Sequence, residues 1–307
     1  DQHYQNAIEA KQQGKLVAWA TSISPQELLE TMDIAVVYPE NHAAAIGARK
    51  CALELLEHSE SNGYSTDICS YARVNLGYME VLESPAGNIP LPDLIFCCNN
   101  ICNTVLKWYE NIAKELNIPM ILIDLPFNHE YEVTEQNVRY IRGQLSDAIK
   151  QLEKLTERSF DYEKFHEIMK ISSETAGWWK KASLMARAKP SPLNGFDLFN
   201  YMAVIVCMRG RKEGLELFKL WVRELEERKA AGLGPWKDQE EKIRILWDGI
   251  ACWPYLSATY KTLKKYGINL VASTYPDSWT ILYEAGDLDG MARAYSSNYV
   301  NRNLDYG

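Results

Sequence analysis

Seven cysteines are spread along the 307 residues, and three of them, Cys97, Cys98 and Cys102, fall in one short stretch among Asn99, Asn100 and Asn103. Thiolates are the ligands of iron–sulfur clusters and of soft metal ions, so a knot of cysteines at one turn is a candidate metal centre. Free cysteines also serve as small buried hydrophobes, and spacing alone leaves both readings open. An odd count of cysteines, mostly in apolar or strand–helix contexts, argues for reduced thiols or metal ligands over a disulfide framework. Other chemistries lack their motifs. The five histidines (His3, His42, His58, His129, His166) include no pair at zinc-site spacing. There is also no phosphate loop, no glycine-rich dinucleotide turn and no serine-hydrolase elbow.

The elements around the cysteines supply their positions. Leu94-Ile-Phe-Cys97 is a short apolar run after Pro92-Asp93 and predicts a buried parallel strand. Ile101, Val105, Trp108, Ile112 and Leu116 recur at helical spacing and predict an amphipathic helix. Similar runs at 16–21, 34–39 and 119–124 predict three more strands. The intervening helices cover 4–13, the segment from Pro25 capped by Ser24, an alanine-rich stretch to about Glu60, and one opened by Asp67. Such β-α alternation builds a parallel sheet with helices on both faces. Ser22, Glu40, Cys98 and Asp124 then lie just beyond strand ends at the carboxyl edge, where α/β proteins hold ligands.

From Val133 the periodicity becomes helical, over 134–158, 162–187, 196–209 and 212–231. Trp178, Trp179, Phe196, Phe199 and Tyr201 read there as helix-packing residues. Strand-like runs return at 243–247 and 270–275, with a strand–helix crossing at 250–254 and helices over 256–266 and 285–299. The expected fold is therefore α/β, with two Rossmann/flavodoxin-like parallel-sheet domains linked by a helical region. The expected boundaries are 1–132 for the first domain, 133–235 for the helical region and 236–307 for a second α/β domain, incomplete at its carboxyl end.

A formal net charge of −8 and the lack of a dense Lys/Arg run argue against a nucleic-acid surface. No apolar run approaches the ~20 residues that span a bilayer. With no secretory signal either, the chain reads as cytoplasmic.

Several stretches taken together resemble one family. They are Tyr38-Pro-Glu-Asn-His42, Asp67-Ile-Cys-Ser-Tyr-Ala-Arg73, Cys97-Cys-Asn-Asn-Ile-Cys-Asn103 with Lys107-Trp-Tyr109, and Asn194-Gly-Phe-Asp-Leu-Phe199. Met202-Ala-Val-Ile-Val-Cys207, Gly249-Ile-Ala-Cys-Trp-Pro254 and Asp287-Leu-Asp-Gly-Met-Ala292 extend the likeness over essentially the whole chain. The family is the 2-hydroxyacyl-CoA dehydratases, and benzoyl-CoA reductase subunits share its broader group.

This resemblance implies an oxygen-sensitive [4Fe-4S] cluster held by three cysteines. By position two of them are Cys69 and Cys102, while Cys97 and Cys98 match no ligand position. The third belongs to a later Asn-Arg-Ser-Cys motif that this sequence lacks, so a missing carboxyl-terminal segment is expected, with Cys252 a poor substitute. Implied partners are a homologous β subunit in a heterodimer, an ATP-hydrolysing iron–sulfur activator and an acyl-CoA substrate. The implied reaction removes water from an (R)-2-hydroxyacyl-CoA through a ketyl radical and gives the (E)-2-enoyl-CoA. Ser22 matches the position that hydrogen-bonds the thioester carbonyl, and Glu40 the acidic residue near the substrate that accepts or relays the C3 proton. Each also has a plainer reading, as a residue that caps or begins a helix. His42 is a lesser candidate for proton transfer, and Arg73 for facing the cofactor or a carboxylate. Two alternatives remain open, a benzoyl-CoA-reductase-like subunit and a non-catalytic subunit that relays electrons.

Overall fold

The computed structural model describes residues 2–130, 132–298 and 301. Among them the chain forms two compact units, one from the described residues of 1–166 and 286–306 and the other Glu167–Ala285. The expected boundaries at 132 and 235 followed changes of periodicity, whereas these units follow compactness.

In the first unit, α1 (Gln2–Gln12) precedes β1 (Val17–Ala20), and the short α2 (Glu27–Thr31) leads to β2 (Ala35–Val37). Then come α3 (Pro39–Ala48), α4 (Leu53–Ser61), α5 (Ser70–Val81), β3 (Leu94–Cys98), α6 (Asn103–Leu116), β4 (Met120–Ile123) and α7 (Glu135–Thr156). The strands are all parallel, in the order β2-β1-β3-β4. Ala20 pairs with Phe96, Trp19 with Val37, and Cys98 with Ile123, so the four strands end at one edge as expected. The order reverses between β1 and β3, which makes the carboxyl edge there a topological switch point, the place where α/β sheets hold ligands.

Every residue of β1 and β3 is buried, as befits strands covered on both faces. Alternation sorts them: Val17, Trp19, Ile95 and Cys97 join one core with residues of α1, α3, α5 and α6. Cys98 therefore points to the opposite face from Cys97. At the amino edge the Val17 N–H donates to Asp93 Oδ2 at 2.8 Å, which fixes where β3 begins.

The alanine-rich stretch is two helices, not one. Lys50 has a left-handed φ of +58°, and the chain turns back along α4 to lie antiparallel to α5. Arg73 pairs with Glu60 at one end of that hairpin, and Gly77 admits the Leu55 carbonyl at the other. The helix expected from Asp67 starts at Ser70 with Cys69 in the cap position, and the helix expected from Pro25 starts at Glu27. The Ser24 hydroxyl donates back to the Thr21 carbonyl at 2.7 Å.

The second unit holds most of α8 (Tyr162–Met185), then α9 (Phe196–Met208), α10 (Lys212–Ala230), β5 (Ile243–Trp247), α11 (Leu256–Lys265), β6 (Ile268–Ser273) and α12 (Thr274–Asp277). β5 and β6 are parallel neighbours. The crossing expected at 250–254 is a loop followed by a 3-10 turn over Trp253–Tyr255. The aromatic residues pack as expected, with Trp179 against Phe218 and Tyr201 stacked on Trp221. The last helix, α13 (Leu288–Ser296), is capped by the Asp287 side chain and belongs to the first unit. The end of the expected 285–299 helix, at Tyr299, lies outside the described residues. Among the described residues no helix is long and apolar enough to cross a membrane.

The α4–α5 approach yields a stability test. A Cβ at Gly77 would drive into the Leu55 backbone, which cannot swing aside, so Gly77→Ala should destabilise the fold by roughly 1–3 kcal/mol. Gly143 in α7 has open space around it, and Gly143→Ala should be neutral or stabilise by up to about 1 kcal/mol. Urea unfolding of the two variants beside the wild type measures both.

Candidate active site

Three elements converge on one carboxyl group at the switch point. Pro39 opens α3 with a preset φ, which puts Glu40 in the first turn, directly after the end of β2. The Glu40 side chain reaches across to the turn after β1. There the Ser22 N–H donates to Oε2 at 2.8 Å and the Ser22 hydroxyl to Oε1 at 2.9 Å. From α6 the Tyr109 hydroxyl lies 3.0 Å from Oε2 and 3.1 Å from the Ala20 carbonyl oxygen. Ser22 is buried and Tyr109 fully so, while Glu40 as a whole residue retains some exposure.

The packing around the carboxyl sets its protonation. Burial pushes the Glu40 pKa up to about 7, against the pull of its hydrogen bonds from Ser22 and Tyr109, which favour the charged form. A carboxyl that titrates near neutrality can serve as a base and then as an acid, which is what general acid–base catalysis requires. Burial also raises Tyr109 far above the ordinary tyrosine range, so it remains a neutral donor. The two expected residues Ser22 and Glu40 are thus in direct contact. Tyr109 completes the group, and reading the sequence for function missed it. The available signal was a hydroxyl in the apolar stripe Val105, Tyr109, Ile112 of α6.

His42 lies apart from this group. Its Nε2 is 2.7 Å from the Gly87 carbonyl oxygen and its ring meets Tyr4 and Tyr78 edge-on. Burial lowers its pKa to about 4, so it is a neutral packing residue near pH 7. Arg73 faces the Glu60 carboxylate. Asp124 closes the β3–β4 end of the edge, where it accepts from Asn99 and, at 2.7 Å, from the Tyr140 hydroxyl.

Cys69 and Cys102 are exposed thiols at the N-cap positions of α5 and α6. α6 leaves the carboxyl edge directly after β3. α5 runs the same way as α3, since Arg49 at the end of α3 donates to the Pro85 carbonyl just beyond α5. The Trp108 indole N–H donates to Asn75 Oδ1 at 2.8 Å, and the two partners are equally far along their helices from the capping cysteines. Both thiols therefore stand at the carboxyl-edge ends of neighbouring parallel helices. Helix N-termini favour negative charge. Neither cap makes a side-chain hydrogen bond. Cys97 and Cys98 are fully buried, and burial raises both thiols beyond the ordinary range, as suits packing residues. Cys252 is exposed in the second unit. Among the described residues no three His, Cys, Asp or Glu side chains gather as a metal-binding group. The donor set fits two of the three thiolates that a [4Fe-4S] cluster of the resembled kind needs.

The family model for the 2-hydroxyglutaryl-CoA dehydratase D-component matches residues 21–305. The chain is 53% identical to the (R)-2-hydroxyisocaproyl-CoA dehydratase alpha subunit of Clostridioides difficile, over 99% of its own length and 74% of the relative's. It is 49% identical to the (R)-phenyllactyl-CoA dehydratase alpha subunit of Clostridium sporogenes, over 94% and 70%. Against the lactoyl-CoA dehydratase subunit alpha of Anaerotignum propionicum the identity is 47%, over 97% and 74%.

The buried carboxyl makes stability depend on pH. With a folded pKa near 7 against an ordinary 4.5, Glu40 holds its proton more tightly in the fold. Its contribution is full below about pH 4.5 and is lost as pH rises through 7. Glu40→Gln cannot ionise, so it should gain on the wild type by at most about 3 kcal/mol between roughly pH 4 and pH 8. Urea unfolding at the two pH values checks the sign.

Proposed function

The chain belongs to the 2-hydroxyglutaryl-CoA dehydratase D-component family, and on that premise we propose that it is the substrate-binding subunit of a 2-hydroxyacyl-CoA dehydratase. Its reaction is the loss of water from an (R)-2-hydroxyacyl-CoA to give the (E)-2-enoyl-CoA. The observation that carries this reading is the contact of Ser22 with Glu40 at the switch point, a donor and a near-neutral carboxyl side by side. That these relatives are alpha subunits supports a homologous β subunit as partner.

The difficulty of the reaction is that the C3 proton is not acidified by the thioester. In the one-electron route, an ATP-hydrolysing activator delivers an electron to the thioester carbonyl, and the resulting ketyl radical anion expels hydroxide from C2. The C3 proton of the enoxy radical that remains is acidic enough for a carboxylate, and the electron returns once the proton has left. Water is lost with no net redox change. Ser22 donates its hydroxyl hydrogen to the thioester oxygen, where negative charge develops. Glu40 takes the C3 proton. Cys69 and Cys102 would hold two corners of a [4Fe-4S] cluster, with a third thiolate required. When bound, that cluster supplies a Lewis acid for the departing hydroxyl.

Full-length protein, combined anaerobically with its partner subunit, the activator and ATP, should dehydrate at least one of a panel of (R)-2-hydroxyacyl-CoA esters. Ser22→Ala and Glu40→Gln should each lower kcat by about 10²-fold or more. Cys69→Ala and Cys102→Ala should each lose iron after anaerobic reconstitution. Dehydration that survives both the Ser22 and the Glu40 substitutions would favour an electron-relay subunit. Reduction of an aryl-CoA with net electron uptake would favour a benzoyl-CoA-reductase-like subunit.

A further inference from the structure

The hydroxyl hydrogens around Glu40 present a counting problem. A hydroxyl has one hydrogen to donate, and an ionised carboxylate only accepts. Ser22 gives its hydroxyl hydrogen to Glu40 Oε1. If it turns that hydrogen to a thioester oxygen, Glu40 loses a donor at the moment it must stay charged to act as a base. Donors on the charged form are what keep a buried carboxylate ionised.

The geometry points to Tyr109 as a positioning residue for the reaction proposed above, an inference that rests on that reading. The Tyr109 hydroxyl holds the charge of Glu40 on Oε2 while the Ser22 hydroxyl serves the thioester, so that Oε1 is the oxygen that receives the C3 proton. Three observations carry this. First, Oε2 keeps two donors when the Ser22 hydroxyl turns away, the Ser22 N–H at 2.8 Å and the Tyr109 hydroxyl at 3.0 Å. Second, the vacated Oε1 is then the oxygen with fewer donors and hence the more basic of the two. Third, once Glu40 is neutral the Tyr109 hydrogen has the Ala20 carbonyl oxygen within 3.1 Å, so releasing Glu40 leaves it no orphan in the core.

Packing holds the arrangement. The Tyr109 ring is wholly buried in the α6 stripe against the sheet, so its hydroxyl is aimed by the core. From β3, Cys97 lies near Glu40, and burial keeps its thiol protonated. At the end of β2 the Tyr38 hydroxyl is given to Gln26 Oε1 at 2.5 Å.

The test is Tyr109→Phe in the full chain assembled with its partner subunit. The Glu40 carboxyl band is titrated by infrared difference spectroscopy against Glu40→Gln, and the pH–rate profile is measured beside it. The midpoint of Glu40 should rise by about one pH unit or more, because a donor to a charged group has been removed. The rising limb of kcat should move with it, with kcat near neutrality about fivefold lower or more and KM within about twofold of wild type. If the phenylalanine variant does not fold, 3-fluorotyrosine placed at position 109 keeps the shape and strengthens the donor, and the midpoint should fall. A Glu40 midpoint that stays at the wild-type value in a folded phenylalanine variant, or with fluorotyrosine, overturns the proposal. Wild-type complex that turns over no (R)-2-hydroxyacyl-CoA, with midpoints moving as expected, overturns the dehydratase reading and leaves the hold of Tyr109 on Glu40 standing.

Discussion

The desolvation of one carboxyl constrains the whole carboxyl edge of the first sheet. Burying Glu40 is costly unless donors surround it, and they reach the start of α3 from two other segments, the turn after β1 and the middle of α6. The parallel register fixes the ends of β1, β2 and β3 within one row, and that row lets a short side chain bridge the two turns. A slip of one residue in β1 would turn Ser22 to the other face and take its two hydrogen bonds from the carboxyl. Sheet register and site chemistry are therefore the same constraint.

The cap positions of α5 and α6 forgo a common source of local stability. Ser, Thr, Asp or Asn at an N-cap normally satisfies the first amides of a helix, and cysteine does so poorly. Here both positions hold exposed thiols with no side-chain cap, on parallel helices joined by the Trp108–Asn75 bond. Core packing explains Cys97 and Cys98 without remainder, but it does not explain two solvent-facing cysteines in matching places.

Much of this architecture was legible in the sequence because periodicity reports burial. The run at 94–97 read as a buried strand and the run at 119–124 as another parallel strand, and the strand ends fell at one edge. Features that depend on tertiary contact were not legible. The break at Lys50 arises because α4 must reverse to meet α5 at Gly77, and alanine-rich composition carries no trace of that demand. Asp67 is a good capping residue by type, yet the turn before α5 places Cys69 at the cap instead. Tyr109 shows the limit most clearly. In a helical stripe it is one more apolar body, and only the fold shows its hydroxyl beneath the end of β1.

The return of α13 to the first unit has a consequence for how the protein is made. The Tyr295 hydroxyl donates to the fully buried Glu27 carboxyl at 2.8 Å, and Asn128 donates its amide to the Ser296 carbonyl. These partners leave the ribosome on either side of residues 167–285, which form the second unit. During synthesis the nascent first unit must therefore wait, with Glu27 lacking its tyrosine, until the entire inserted segment has emerged. The first unit is thus contiguous in space but not along the chain.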